Sequence, residues 1–273
     1  MGAGELLALA AALCFGVTHV VNGLLARRVD GAVVALWAQL GGTVVSLALP
    51  LLFPAAPPSW AALGWGALSG LGTGLGVAWL YRAMGKGALS VVVPVSDVGA
   101  VALPVLAGLT LWAERPSLTA LLGMALALPA IGLLSRSGGE RLAAGAGLAA
   151  LSGIGFAVQF VAMARLLPED GFWPVVASRV VSVLVIRALC RSVRAPARVA
   201  LGAVGAGALG TVAVVCYLLS AQRQLLTVAV VLSALYPVIP VLVALLFLRE
   251  RVSRAQVLGL VGAAAAVVLI AWR

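Results

Sequence analysis

The sequence predicts an all-α integral membrane protein: ten transmembrane helices arranged as two inverted five-helix repeats. Three observations carry that prediction. Hydrophobic residues make up 63% of the 273-residue chain and charged residues 10%, where a soluble domain carries about 25% charged, and the mean hydropathy is +1.18. The apolar residues fall into runs of about 20, the length that crosses a bilayer as a helix. Finally, "LWAERPSLTALLG" (Leu111 to Gly123) returns as "FLRERVSRAQVLG" (Phe247 to Gly259) at a shift of 136 residues, with Glu, Arg, Ser and Gly in register.

Breaks at charge, Pro and Gly place the spans at 6–26, 32–53, 60–81, 89–112, 117–135, 144–165, 172–190, 200–221, 226–248 and 254–272. The connectors are short, and the "MGKGAL" break is the least marked. The first apolar run lacks a basic leader, follows Glu5 and precedes Arg27 and Arg28. That order predicts a retained span with a translocated start. The chain divides into a first repeat over 1–140 (spans 1–5) and a second over 141–273 (spans 6–10).

Of the 18 basic residues, 13 lie in connectors after odd-numbered spans and four after even-numbered spans or at the C-terminus. The positive-inside rule then puts the odd connectors in the cytoplasm and both termini outside. The net charge of +10 does not imply nucleic acid, because the basic residues sit in short breaks between apolar runs. The echo closes span 4 in one copy and span 9 in the other. Five spans separate the copies, so they face opposite compartments, and the cytoplasmic one carries more Arg. That is the pattern of an inverted-topology repeat. Gly66 pairs with Gly202, Gly74 with Gly210, Tyr81 with Tyr217 and Pro104 with Pro240 at the same shift. Nearer the start, "AALCFGVTHVVNGLLAR" aligns with "AALSGIGFAVQFVAMAR" at a shift of 138.

The segments "YRAMGKGALSVVVPV", "LPVLAGLTLWAERPSLTALLGMALALPAIGLL" and "YPVIPVLVALLFLRERVSRAQVLGLVGAAAAVVLIA" resemble the drug/metabolite transporter superfamily, in its ten-helix form with two EamA-type halves. The resemblance covers nearly the whole chain. It implies a secondary carrier of a small metabolite, amino-acid-like or another small organic solute, with export as the preferred direction. It further implies a central site built mainly by spans 1, 3, 4, 6, 8 and 9. Family members often carry an Arg early in the second span of each half. Arg179 fits that position in the second half and Gln39 occupies it in the first.

Polar and aromatic residues within spans are the candidates for substrate binding or coupling. Asp97 is the acid lying well inside a span. It reads either as a cavity group, coupling protons or meeting a cationic cargo, or as a strut paired with Arg179. His19, with Asn22 three residues on, is either a proton shuttle or a helix–helix hydrogen bonder. Gln159 sits near the repeat-equivalent position. Trp79 and Tyr236 can stack on a cargo, whereas Tyr81 and Tyr217, near span ends, read as interfacial belt residues. Pro94, Pro104, Pro237 and Pro240 are helix-break or gating candidates, with packing kinks as the alternative. Glu114 and Glu250 begin the connectors to spans 5 and 10 and read as caps of those helices, with Ser117 and Ser253. Gly66, Gly70 and Gly74, and likewise Gly72 and Gly76, present small faces for close helix packing.

Gly205, Gly207 and Gly210 spell G-x-G-x-x-G, yet inside an apolar helix with no preceding strand, so no dinucleotide site is predicted. Cys14, Cys190 and Cys216 are scattered and imply neither a disulfide framework nor zinc. One His and one deep Asp do not supply an intramembrane metal or triad mechanism, so the expectation is no enzyme, no metal and no cofactor. The expected partners are a small-molecule substrate, the lipid of the cell membrane and protons as coupling ion, with a monomer sufficient. Multidrug efflux or lipid flipping is the alternative within transport, and a membrane sensor or structural protein is the alternative outside it.

Overall fold

The computed structural model describes residues 2–86, 89–134, 145–236, 238–239 and 253–271. Among these residues there are ten α-helices and no strand: α1 Ala3–Leu25, α2 Gly31–Leu52, α3 Trp60–Lys86, α4 Leu89–Leu111, α5 Leu118–Leu134, α6 Ala146–Met163, α7 Trp173–Leu189, α8 Ala197–Ala221, α9 Leu226–Ser233 and α10 Arg254–Ala271. Four of them, α1, α2, α3 and α8, are long and apolar enough to cross a membrane by length and composition.

Local chemistry sets the starts. Asp30 accepts from the Ala32 N–H at 2.7 Å and opens α2. Ser59 accepts from Ala62 at 3.0 Å to open α3, and Ser117 from Ala120 at 3.2 Å to open α5. Each fills one of the orphan donors of a first turn. Pro174 enters at the first turn of α7, where its missing N–H costs nothing.

Glycine faces then decide which helices meet. On α3, a Cβ at Gly66 would strike Pro174, one at Gly70 would strike Ser178, and one at Gly74 would strike Ser182 and Val185, all on α7. The contacts rise together along both helices, so α3 and α7 are parallel. The other α3 face, Gly72 and Gly76, abuts Gly155, Phe156 and Gln159 of α6 in antiparallel order. In the first half's mirror arrangement, Gly207 of α8 lies on Ala38 of α2, and Gly42 on Gly207 and Thr211, again parallel. Thr18 on α1 meets Gly210 and Ala206 of α8, while Gly4 meets the Gln224 side chain beyond the α8 C-terminus. The start of α2 lies against the end of α3, Gly31 against Tyr81. Hence α2 and α3 are antiparallel, and α7, parallel to α3, runs opposite to its counterpart α2. The two five-helix sets interlock, α3 resting on α6 and α7 and α8 on α1 and α2.

The ends of the bundle differ in charge. Ala26, Arg82, Leu189 and Val193 meet at one end: Arg82 donates to the Leu189 carbonyl at 2.7 Å and lies 3.5 Å from Asp30, and Trp37 donates to the Val193 carbonyl at 3.0 Å. This end carries Arg27, Arg28, Arg82, Arg187, Arg191 and Arg194. At the other end Gln222 donates to the Leu166 carbonyl, and Arg165 stands over Trp65 and Trp112 at 5.6 and 5.4 Å.

Three expectations are corrected. The predicted span 226–248 is interrupted: its first helix ends at Ser233, residues 238–239 are helical again, and 240–252 lie outside the described residues. The chain then tightens into i→i+3 bonds, Leu235 N–H to Leu232 O at 3.3 Å and Ile239 N–H to Tyr236 O at 3.0 Å. Pro237, which has no N–H to continue the ladder, Pro240 and Glu250 fall outside the described residues. Pro94 and Pro104 do not interrupt α4, which is continuous from Leu89 to Leu111. Glu114 does not cap its own α5, a position Ser117 fills. It reaches instead to α9 of the other half, its two oxygens accepting from Leu226 N–H at 2.8 Å and Thr227 N–H at 3.0 Å. Glu114→Ala is therefore expected to lower stability by about 1–2 kcal/mol, with Glu114→Gln losing roughly half as much. A thermal-unfolding midpoint unmoved by Glu114→Ala would show that this cap contributes nothing.

Candidate functional site

Where the two helix sets interlock, a cavity opens between α1, α2, α3, α6, α7, α8 and the turn after α9. It leaves about 40 Å³ in which the centre of a water can sit, room for about three waters. Its wall has a polar side and an aromatic side. Phe15 and His19 are four residues apart on one face of α1, and Phe156 and Phe160 likewise on α6. The His19 ring centroid is 4.9 Å from that of Tyr236 and 6.0 Å from those of Tyr81 and Phe156.

The polar side is built around Arg179. This side chain is 4% exposed. Its Nη1 donates to Gln39 Oε1 at 2.7 Å and its Nη2 to the Gly210 carbonyl at 3.3 Å, while Nε has no partner among the described residues. Gln39 and Arg179 occupy corresponding places in the two halves. Gly70–Ser178 in one set matches Gly207–Ala38 in the other, and Gly74–Ser182 matches Thr211–Gly42. Both correspondences shift α2 onto α7 by 140 residues, which carries Gln39 onto Arg179. Their hydrogen bond thus crosses the pseudo-twofold between the halves, with the charge on one side of it.

Threonines tie the wall down. Thr73 shares its hydroxyl proton between the Ser69 carbonyl at 2.9 Å and Gln159 Oε1 at 2.7 Å. Thr18 donates to the Ala206 carbonyl at 3.1 Å. The local bonds to carbonyls one turn back are ordinary for helical Thr. The long-range ones fix α3 on α6 and α1 on α8.

Of the sequence-predicted residues, His19, Gln159, Arg179 and Tyr236 line this cavity. Asn22 stands behind it, fully buried, donating to the Tyr81 hydroxyl at 3.1 Å. Trp79 is half-buried and does not line it, because its position on α3 is rotated away from Thr73, Val77 and Tyr81. Asp97 is fully buried but is neither on the cavity wall nor paired with Arg179. It lies beside Tyr236, close enough for electrostatic contact, although among the described residues neither oxygen nor the Tyr236 hydroxyl reaches hydrogen-bond geometry. Pro104 is not among the described residues of the wall, while Pro237, Pro240 and the Pro94 side chain lie outside what the structure describes. Span 4 contributes none of the described lining, and α2 and α7 take its expected place. Tyr81 and Tyr217 are not belt residues: both are buried, Tyr81 lines the cavity and Tyr217 donates to the Phe160 carbonyl at 2.9 Å. Sequence reading passed over Thr73, Phe15, Phe156 and Phe160. The i, i+4 spacing of Phe15 with His19 and of Phe156 with Phe160 was the available signal.

The exterior suits lipid: Val44, Leu51, Leu111 and Leu201 are each at least 71% exposed. Apolar helices with such an exterior wrap as two interlocked sets around a polar-lined hollow. The chain belongs to the EamA-like transporter family, whose sequence pattern matches residues 2–136 and again 143–272. Comparison with curated proteins returns no match. The fold is similar to that of a protein of known crystal structure, at a TM-score of 0.77, 18% identity and coverage of 99% of both chains.

Proposed function

We propose that the protein is a secondary carrier that moves a small organic solute, preferentially outward, by alternating access at the cavity between its two halves. The cavity itself carries the reading. It lies between the two antiparallel sets, is lined by buried polar groups from both, and is too small for an organic solute until the halves part. In this reading the halves, 1–140 and 141–273, form inverted bundles in the cell membrane, with the Arg-rich end in the cytoplasm and both termini outside. Counterflow of a labelled solute in proteoliposomes tests the carrier, and no flux across a broad metabolite panel would end it. Accessibility of terminal tags in intact cells tests the orientation.

Protons are the proposed coupling ion. His19, Tyr236 and Asp97 stand in series from the cavity wall inward, and His19 Nδ1, the Tyr236 hydroxyl and both Asp97 oxygens lack partners among the described residues. Buried titratable groups within apolar helices are expensive and mark proton routes. Asp97→Asn is expected to abolish the acceleration of flux by a pH gradient while exchange without a gradient persists. Flux that stays equally gradient-driven in the variant removes Asp97 from coupling.

A further inference from the structure

We propose that the cargo is an organic anion, a small carboxylate with an apolar body, and that the site rejects organic cations. The inference rests on the carrier reading for its cavity but on Arg179 for its sign. Arg179 is buried and lines the hollow, yet its hydrogen-bonding partners are neutral acceptors, an amide oxygen and a backbone carbonyl. No carboxylate pairs with it among the described residues. A buried charge without a counter-charge is costly and is retained where something arrives to meet it.

The guanidinium also has an edge to offer. Among the described residues Nε has no partner, and Nη1 and Nη2 each have one of their two N–H groups engaged. A carboxylate that docks side-on takes Nε–H and one Nη N–H together. Phe15, Val77, Phe156 and Phe160 line the same hollow and supply apolar surface for the rest of the molecule. No described acid lines the hollow, and Asp97, the buried acid beside Tyr236, stands behind the wall. A cationic solute would therefore meet an uncompensated positive charge and no partner.

The test uses three probes that share a ring and differ in head group: benzoate, benzyl alcohol and benzylamine. Binding to the detergent-solubilised full chain is followed by titration calorimetry. Benzoate is expected to bind, benzyl alcohol more weakly, and benzylamine not at all. Arg179→Gln should weaken benzoate by about 30-fold, the scale for breaking a buried charge pair, and Arg179→Lys less than that, since it keeps the charge and loses the fork. Should Arg179→Gln misfold, Gln39→Glu provides the second reading. It places a carboxylate on Arg179 within the chain and should exclude benzoate from a folded protein to a similar degree. Benzylamine bound as tightly as benzoate, benzoate unaffected by Gln39→Glu, or no binding of benzoate to the native chain overturns the proposal. Benzoate bound without counterflow leaves the anion site standing and counts only against the carrier.

Discussion

Replacing Arg179 with Met together with Gln39 with Leu is expected to abolish solute flux while raising the unfolding midpoint. The two side chains form one buried polar unit, joined at 2.7 Å across the junction of the halves. Exchanging a whole buried polar unit for apolar residues of similar volume is neutral or stabilising by about 1–4 kcal/mol. Removing one member leaves an orphan, and the single variant Arg179→Met should be the less stable of the two because in it alone Gln39 Oε1 stays buried without its donor. A structural strut predicts the opposite order: the double variant would unfold more easily than the native chain. Thermal unfolding of both variants beside a counterflow assay separates the readings. Higher stability with lost flux means that the charge is kept for the cargo. Lower stability with retained flux would sink that idea.

The second large effect concerns helix approach. Gly207→Ala is expected to cost about 3 kcal/mol, at the upper end of ordinary overpacking, and Gly207→Val to prevent recovery of folded protein. The added Cβ would fall on the Ala38 carbonyl, a backbone atom that cannot swing aside, so α2 and α8 must separate. Separation also draws Thr211 from the Gly42 carbonyl, which it reaches at 3.1 Å. Gly205, two residues earlier on α8, provides the control: nothing lies within 4 Å of its added Cβ. Gly205→Ala should be neutral or gain up to about 1 kcal/mol from helix propensity. Equal yields and equal midpoints for Gly205→Ala and Gly207→Ala would show that close backbone approach does not hold these helices together.

Several of these features were legible in the chain before its fold. The starts at Asp30, Ser59 and Ser117 follow from capping chemistry within a few residues. The Gly66, Gly70 and Gly74 face announced a close neighbour, and Arg179, His19 and Gln159 stood out as polar groups in apolar runs. Other features were not. Glu114 sits where it can cap α5, yet Leu226 and Thr227, more than 110 positions away, use both its oxygens. Tyr81 and Tyr217 lie near span ends, which suggested a membrane belt, but their helices are turned so that both point inward. Asp97 and Arg179 are of opposite sign, but Tyr236 stands next to the former and Gln39 takes the latter.

The chain alone thus determined what is local or periodic: the apolar runs, their number, the caps, and a duplication whose odd offset turns the second half over. Lipid compatibility and helix initiation are properties of neighbouring residues, so they are written in order. Only the tertiary structure decided which polar groups share a cavity. That depends on how each helix is rotated about its axis, and the rotation is fixed by glycine faces meeting backbones from the opposite half.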